Sequence, residues 1–288
     1  MKFGIYYSYW EQEWSADCLK YVEKVAKLGF DIIEIAAHHL NNYSPAHIED
    51  VARSARDNGI TITAGLGPSA KKNLSSVDPA IRKAGRVFFE ETLTNLAKLD
   101  IHIIGGALHS YWPIDYSKPV DKAGDRARGL EGIASLADFA ADHGVTLCLE
   151  VLNRFENHVL NTADEGVAFV REVGKPNVKV MLDTFHMNIE EDSFGKAIRT
   201  AGPLLGHFHT GENNRRVPGK GRLPWHEIGA ALREIGYSGA VVMEPFVKMG
   251  GGVGSDIKVW RDLSDNADVT QLDEAARQAL AFSRYVLG

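Results

Sequence analysis

The chain has 288 residues, 44% of them hydrophobic and 24% charged, with a formal net charge of −6. This is ordinary globular usage, which excludes disorder, and no apolar run reaches the roughly 18 residues of a membrane span. An acidic chain without a basic block argues against nucleic acid as a partner, and two cysteines, Cys18 and Cys148, are too few for a disulfide framework or a thiolate metal cluster.

In chain order the sequence reads as strand, then helix, repeatedly. Runs of strand length occur at Lys2–Tyr6, Asp31–Ala36, Ile60–Ala64, Ile101–Gly105, Val145–Leu149, Val178–Leu182, Leu205–Phe208 and Ala240–Met243. Amphipathic stretches lie between them. Ser15–Leu28 places Leu19, Val22, Val25 and Ala26 on one face and stops at Gly29. Pro45–Asp57, Pro79–Leu99 and Lys122–Asp142 follow, then a capping-box pattern at Thr162–Glu165, then Trp225–Ile235 and Gln271–Leu287. Eight such units predict a single (β/α)8 TIM barrel over 1–288, with a doubly wound open sheet as the rival. Gly106–Val120, Thr210–Pro224 and the segment opening at Gly250–Gly254 are the long loops, and all follow strand ends. The first residues carry one lysine and no long apolar stretch, so no secretory signal is expected and the expected location is the cytoplasm.

The last four strands each end in a metal-ligating residue: Glu150, Asp183, His209 and Glu244, spaced 33, 26 and 35 residues apart. In a barrel, successive parallel strands end on one face, so these side chains are expected to converge. Three carboxylates and an imidazole crowded together would be forced to take up protons unless a cation resolves the repulsion. An O3N set suits Mn²⁺, Mg²⁺ or Co²⁺ better than a structural zinc. The competing view makes each acid a separate salt bridge or loop cap. One loop step away stand Glu156, His186 and Arg215, suited to the oxygens of a polyol, although Glu156 could equally pair with Arg154 or Arg215 on the surface. Tyr6, Trp14 and Trp112 offer aromatic faces for sugar C–H groups.

Other patterns carry less. Gly65-Leu-Gly67-Pro-Ser-Ala70 matches a dinucleotide fingerprint, but Pro68 and the polar residues beyond it do not start an apolar-faced helix. Gly250–Gly254 lacks the Lys-Ser/Thr of a phosphate loop. His207 and Cys148 share a strand face with His209 and Glu150 one layer deeper, and are expected to be an interior histidine and an inert buried thiol.

The strand-end residues and their flanks resemble the ketose 3-epimerase family over essentially the whole chain. The resemblance runs through Gly4-Ile-Tyr-Tyr-Ser-Tyr-Trp-Glu11, Gly105-Gly-Ala-Leu-His-Ser-Tyr-Trp112, Glu150-Val-Leu-Asn-Arg-Phe-Glu156, Asp183-Thr-Phe-His186, His209-Thr-Gly-Glu212 and Met243-Glu-Pro-Phe246. It implies C3 epimerisation of free ketohexoses, D-fructose to D-psicose (D-allulose) and back. It implies one divalent ion per subunit, Mn²⁺ foremost with Co²⁺ or Mg²⁺ as alternatives, on Glu150, Asp183, His209 and Glu244. Glu150 and Glu244 would also be the catalytic acid/base pair, acting through a metal-stabilised enediolate. Glu156, His186 and Arg215 would bind the O1–O3 end of the sugar. Tyr6, Trp14, Leu66, Ala107, Trp112 and Phe246 would complete the substrate pocket. The implied assembly is a homotetramer, arranged as a dimer of dimers, or a dimer. His158 and Leu66 are positions where sister enzymes carry other residues, so D-tagatose or another ketose is the alternative substrate. An aldose–ketose isomerase is the rival reaction, and a DNA repair endonuclease and a sugar-binding protein are the more distant rivals.

Overall fold

The computed structural model describes residues 1–288 and shows a (β/α)8 TIM barrel closed in sequence order, every neighbouring pair parallel. The strands are β1 (Lys2–Tyr6), β2 (Ile32–Ala36), β3 (Thr61–Gly65), β4 (Ile103–Gly106), β5 (Thr146–Glu150), β6 (Val178–Asp183), β7 (Leu205–Thr210) and β8 (Ala240–Met243). The ring shuts where β1 bonds to β8, Lys2 opposite Ala240 and Ile5 opposite Met243. This disposes of the open-sheet rival. No helix is long and apolar enough to cross a membrane.

The helices are α1 (Leu19–Leu28), α2 (Pro45–Asn58), α3 (Pro79–Lys98), α4 (Lys122–Asp142), α5 (Ala163–Val173), α6 (Thr184–Glu190), α7 (Phe194–Ala201), α8 (Trp225–Glu234), α9 (Gly251–Ile257) and α10 (Val269–Leu287). Their starts follow from local chemistry. Thr162 accepts from the Glu165 amide at the head of α5, and Asp268 and Gln271 cap α10 reciprocally. α1 begins four residues later than the periodicity predicts, and β4 two residues later. The sequence reading left the stretch between β6 and β7 without a helix, yet α6 and α7 form there, capped by Asp183 and Ser193. The glycine-rich segment after β8, read as loop, forms α9.

Inside the barrel, residues two apart on a strand stack in layers. Ile32, Ala240 and Val242, with Ile103 packed against them, form a small apolar cluster. Polar residues occupy the strands above it. One irregularity sets their level: between Val180 and Met181 the β6–β7 register jumps, so that Gly206 is passed over and Asp183 faces His209. A regular ladder would set Asp183 opposite Phe208. Gly206 is required, because a methyl group there would lie 2.5 Å from Lys179 Cβ and 2.9 Å from Cys148 Sγ.

Candidate active site

Glu150 and Asp183 are the last residues of β5 and β6, His209 is the penultimate residue of β7, and Glu244 follows β8 directly. His209 Nδ1 is 3.9 Å from Asp183 Oδ2 and 3.7 Å from Glu244 Oε1. Asp183, His209 and Glu244 offer ligand atoms within 4.8 Å of one another, as do Glu150, Asp183 and His186, so Asp183 links all four strand ends. Asp183 Oδ2 and His209 Nδ1 are both buried without a hydrogen-bond partner. Two buried polar atoms without partners, set among further carboxylates, are costly unless a cation lies among them. The hard O3N donor set fits a divalent ion.

The carboxylates are not alike. Burial first, then the neighbouring charge of Glu244, pushes the Glu150 carboxyl well above the ordinary carboxylate range. Burial opposes charge on the His209 ring, but Glu34 and Glu244 outweigh it and hold its pKa well above that of a free imidazole.

A second cluster adjoins the first. Arg215 Nη2 donates to Glu156 Oε1 at 2.8 Å, and its Nη1 lies 3.6 Å from Glu244 Oε2. Burial works against the Glu156 charge, but Arg215 and His186 overcome it and lower its pKa. Arg154, the other partner considered for Glu156, pairs instead with Glu190 through two bonds at 2.9 and 2.8 Å. Arg215 sits in the left-handed region at φ 63, stacks over the Phe185 ring at 3.6 Å, and keeps Nε and Nη1 free of protein partners. The Asn153 backbone amide donates to His186 Nδ1 at 3.3 Å, so the ring presents Nε2–H on its other side, 3.7 Å from Glu150 Oε1.

These groups open into a cavity of about 390 Å³. Tyr6, Trp14, Leu66, Ala107, Trp112, Glu156, His186, Arg215 and Phe246 all line it, with Glu150, His209 and Glu244. Trp14 meets Trp112 edge-on at 6.0 Å and Phe246 at the same distance. Trp112 Nε1 donates to Glu156 at 3.2 Å. The cavity is roofed where the loop after β1 meets the segment after β8. Trp14 Nε1 donates to Asp256 Oδ2 (2.9 Å), Gln12 Nε2 to the Met249 carbonyl (2.7 Å), and the Val253 amide to the Gln12 carbonyl (2.9 Å).

Sequence reasoning missed Asn153, which also bridges Glu156 at 3.1 Å and His186 at 2.7 Å through its side chain. It also missed Glu34 in the interior of β2, the wall glycines Gly105 and Gly106, and Met181 beside them. A glutamate in the run Ile-Ile-Glu-Ile-Ala was the available signal for Glu34, since a charge in a fully buried strand requires partners. His207 is fully buried and bonded to Glu34 at 2.7 Å, and burial pushes the Cys148 thiol far up. His158, a position of interest for substrate choice, bonds to Asp125 at 2.8 Å and does not line the cavity.

A family model described as xylose isomerase-like TIM barrel matches residues 22–281. A D-psicose 3-epimerase of Agrobacterium fabrum is 76% identical over all of both chains, and one of Ruminiclostridium cellulolyticum is 64% identical over 100% of this chain and 98% of that one. A ketose 3-epimerase of Arthrobacter globiformis is 32% identical over 93% of each. The crystal structure of a D-psicose 3-epimerase in the presence of D-fructose superposes with a TM-score of 0.99 at 76% identity, covering both chains fully.

Proposed function

The chain belongs to the ketose 3-epimerase family of xylose isomerase-like TIM barrels, and from that premise we propose that it epimerises free ketohexoses at C3, converting D-fructose to D-psicose and back. By class it is an isomerase. The observation that carries the reading is the pair of buried polar atoms without partners, Asp183 Oδ2 and His209 Nδ1, set among Glu150, Glu244 and the Arg215–Glu156 pair at one end of a sugar-sized cavity.

Glu150, Asp183, His209 and Glu244 would hold one divalent ion, Mn²⁺ foremost, with Co²⁺ or Mg²⁺ as alternatives. When bound, the ion supplies Lewis-acid polarisation of the C2 carbonyl and offsets the negative charge that grows on the sugar oxygens. Glu150 and Glu244 rise from β5 and from the end of β8, so a sugar between them has a carboxyl on each side. One carboxylate removes the C3 proton and the other, protonated, returns a proton to the opposite face, with roles exchanged in the reverse direction. The free donors of Arg215, the Nε2–H of His186 and the carboxylate of Glu156 orient the O1–O3 end of the sugar. Tyr6, Trp14, Trp112 and Phe246, with Leu66 and Ala107, wall the rest and keep water from the reacting carbon. D-tagatose or another ketose is the alternative substrate, since Leu66 of the wall is a position where sister enzymes differ. We read the assembly as a homotetramer, with a dimer as the alternative, which light scattering distinguishes.

The test is Mn²⁺-loaded protein incubated with D-fructose in D₂O. D-Psicose carrying deuterium at C3 is expected. Glucose or mannose, or deuterium at C1, would mean aldose–ketose isomerisation instead. Glu150→Gln and Glu244→Gln should each lose about 3 kcal/mol or more of transition-state stabilisation, the usual worth of a general acid or base. Metal content is measured in each variant. A fully metallated Glu244→Gln protein with near-normal turnover would sink the two-carboxylate scheme.

A further inference from the structure

We propose that Glu34 is a positioning residue: it fixes His209 in the ring orientation and tautomer that offer Nδ1 to a divalent cation. The proposal rests on the metal-site reading above and concerns a residue that touches neither the sugar nor the ion.

Glu34 lies in the middle of β2 with no exposed surface. A carboxylate in a barrel interior is tolerated only when its oxygens are fully bonded. Here Oε1 accepts from His209 Nε2 at 2.6 Å, while Oε2 accepts from His207 Nε2 and from Thr63 Oγ1, both at 2.7 Å. These spacings are those of charge-assisted hydrogen bonds. A carboxylate has no proton to give, so both Nε2 atoms must carry one. The consequence falls on the far side of the His209 ring. With Nε2 committed as a donor, Nδ1 is the one ring nitrogen left to release its proton and take a cation; it is buried, without a hydrogen-bond partner, and aimed between Asp183 and Glu244. The β-ladder makes the contact possible, since Glu34 is level with Tyr6 and Thr63, and the bulge at Gly206 brings both histidines within reach of the one carboxylate.

Such a contact does two things for a ligand. It stops the ring from flipping, and it draws on the Nε2 proton so that Nδ1 becomes a better electron donor. A glutamine at position 34 has the same shape but only one oxygen. Its amide NH₂ must face either His209 or the His207–Thr63 pair. Facing His209, it requires an acceptor at Nε2 and so moves the ring proton to Nδ1, where a metal would bind.

The experiment titrates Mn²⁺ into full-length, chelator-stripped protein and reads free Mn²⁺ by electron paramagnetic resonance. Glu34→Gln should weaken Mn²⁺ binding about 10- to 100-fold, the usual cost of losing such a support. His207→Gln disturbs the same layer without touching the His209 bond, and should stay within about threefold of the parent. A purely structural role for Glu34 would lower the melting temperature of both metal-free variants and leave their Mn²⁺ affinities alike. A second measurement needs no variant. In wild-type protein carrying ¹⁵N-histidine, His209 should be protonated at Nε2, and its Nδ1 resonance should move when Mg²⁺ is added. A His209 whose Nε2 responds to Mg²⁺ overturns the proposal, as does folded Glu34→Gln protein that binds Mn²⁺ as tightly as the parent. A parent protein that binds no Mn²⁺ overturns the metal-site reading as well. A parent that binds, with an equal variant, overturns only the role of Glu34.

Discussion

Truncating Glu212 to alanine tests how the loop between β7 and α8 holds Arg215. Glu212 is fully buried and faces no cation. Its Oε1 accepts from the Gly219 amide and from Trp225 Nε1, both at 2.8 Å, and its Oε2 from the Leu223 amide at 3.3 Å. Its backbone carbonyl receives the Arg215 amide at 2.9 Å, and its own amide donates to the Arg216 carbonyl. The loop is folded around this carboxylate so tightly that a methyl group on Gly221 would lie 2.2 Å from Oε2. Glu212→Ala therefore strands two buried donors, the Leu223 amide and Trp225 Nε1, and a part-buried one, the Gly219 amide. At ~1–3 kcal/mol each, less the relief of no longer burying a charge, the net cost is about 3–5 kcal/mol. An unfolding entropy of ~2.1 cal/mol/K per residue makes about 0.6 kcal/mol/K for a chain of this length, so Tm should fall by roughly 5–8 °C. Turnover should fall about 100-fold as Arg215 loses its left-handed setting, while bound metal is retained. Glu212→Gln keeps an oxygen for Gly219 and Trp225 and should lose about half as much stability. Calorimetry, elemental analysis and kinetics on the two variants read these quantities. An alanine variant melting within about 2 °C of the parent, with undiminished turnover, would refute the reasoning.

Exhaustive chelation should abolish activity and lower Tm together, by roughly 4–5 °C relative to protein at a hundredfold excess of ion over Kd, and re-addition of Mn²⁺ or Co²⁺ should restore both. Activity surviving with no metal detectable by elemental analysis would remove the metal assignment. Arg215→Ala should cut turnover about 10- to 100-fold through loss of charged hydrogen bonds and leave metal content intact; full metal loss would instead make Arg215 part of the metal scaffold. His109 is fully buried with neither ring nitrogen bonded, and burial lowers its pKa to about 3. The unfolded chain takes up that proton near pH 6.5, so between pH 3 and 6.5 the folded state binds fewer protons. This contribution is full above the unfolded value and is lost as pH falls, at up to about 1.4 kcal/mol per pH unit. Urea melts of His109→Phe at several acid pH values should show a correspondingly flatter slope, and an unchanged slope would contradict the assignment.

The barrel and the four strand ends were legible because both depend on a repeat that sequence displays directly: a parallel strand, a helix and, in the last four units, a polar residue at the strand end. What the repeat does not encode was missed. α6 is capped by Asp183, whose side chain accepts the Phe185 amide at 2.6 Å, so one carboxylate both caps a helix and faces the candidate metal site. α9 is built from Gly251-Gly-Val-Gly-Ser-Asp-Ile257, a poor intrinsic helix former, and is held by its contacts with Gln12 and Trp14 from the other end of the sequence. Glu34 is one polar residue in an apolar strand. Its partners lie 173 and 175 residues away, and only the register at Gly206 brings them together. Asn153 acts across a single turn of loop, where its neighbours Arg154 and Glu156 gave equally plausible pairings.

The roof over the cavity sets a schedule for synthesis. Its two halves lie far apart in the order of synthesis: Tyr6, Gln12 and Trp14 are made well before Glu244, Phe246 and Asp256. The β1–β8 seam that closes the ring joins the same two regions. A nascent chain on the ribosome can build helices and neighbouring strand pairs as it lengthens, but it has neither a complete ligand set nor a covered pocket until residue 256 is free of the exit tunnel. Nothing held by the finished site can therefore guide the early steps of folding. A chain arrested before Glu244 would expose the half-built interior of an open sheet, with Glu34 and the strand-end acids bare, making such fragments natural clients for chaperones and proteases.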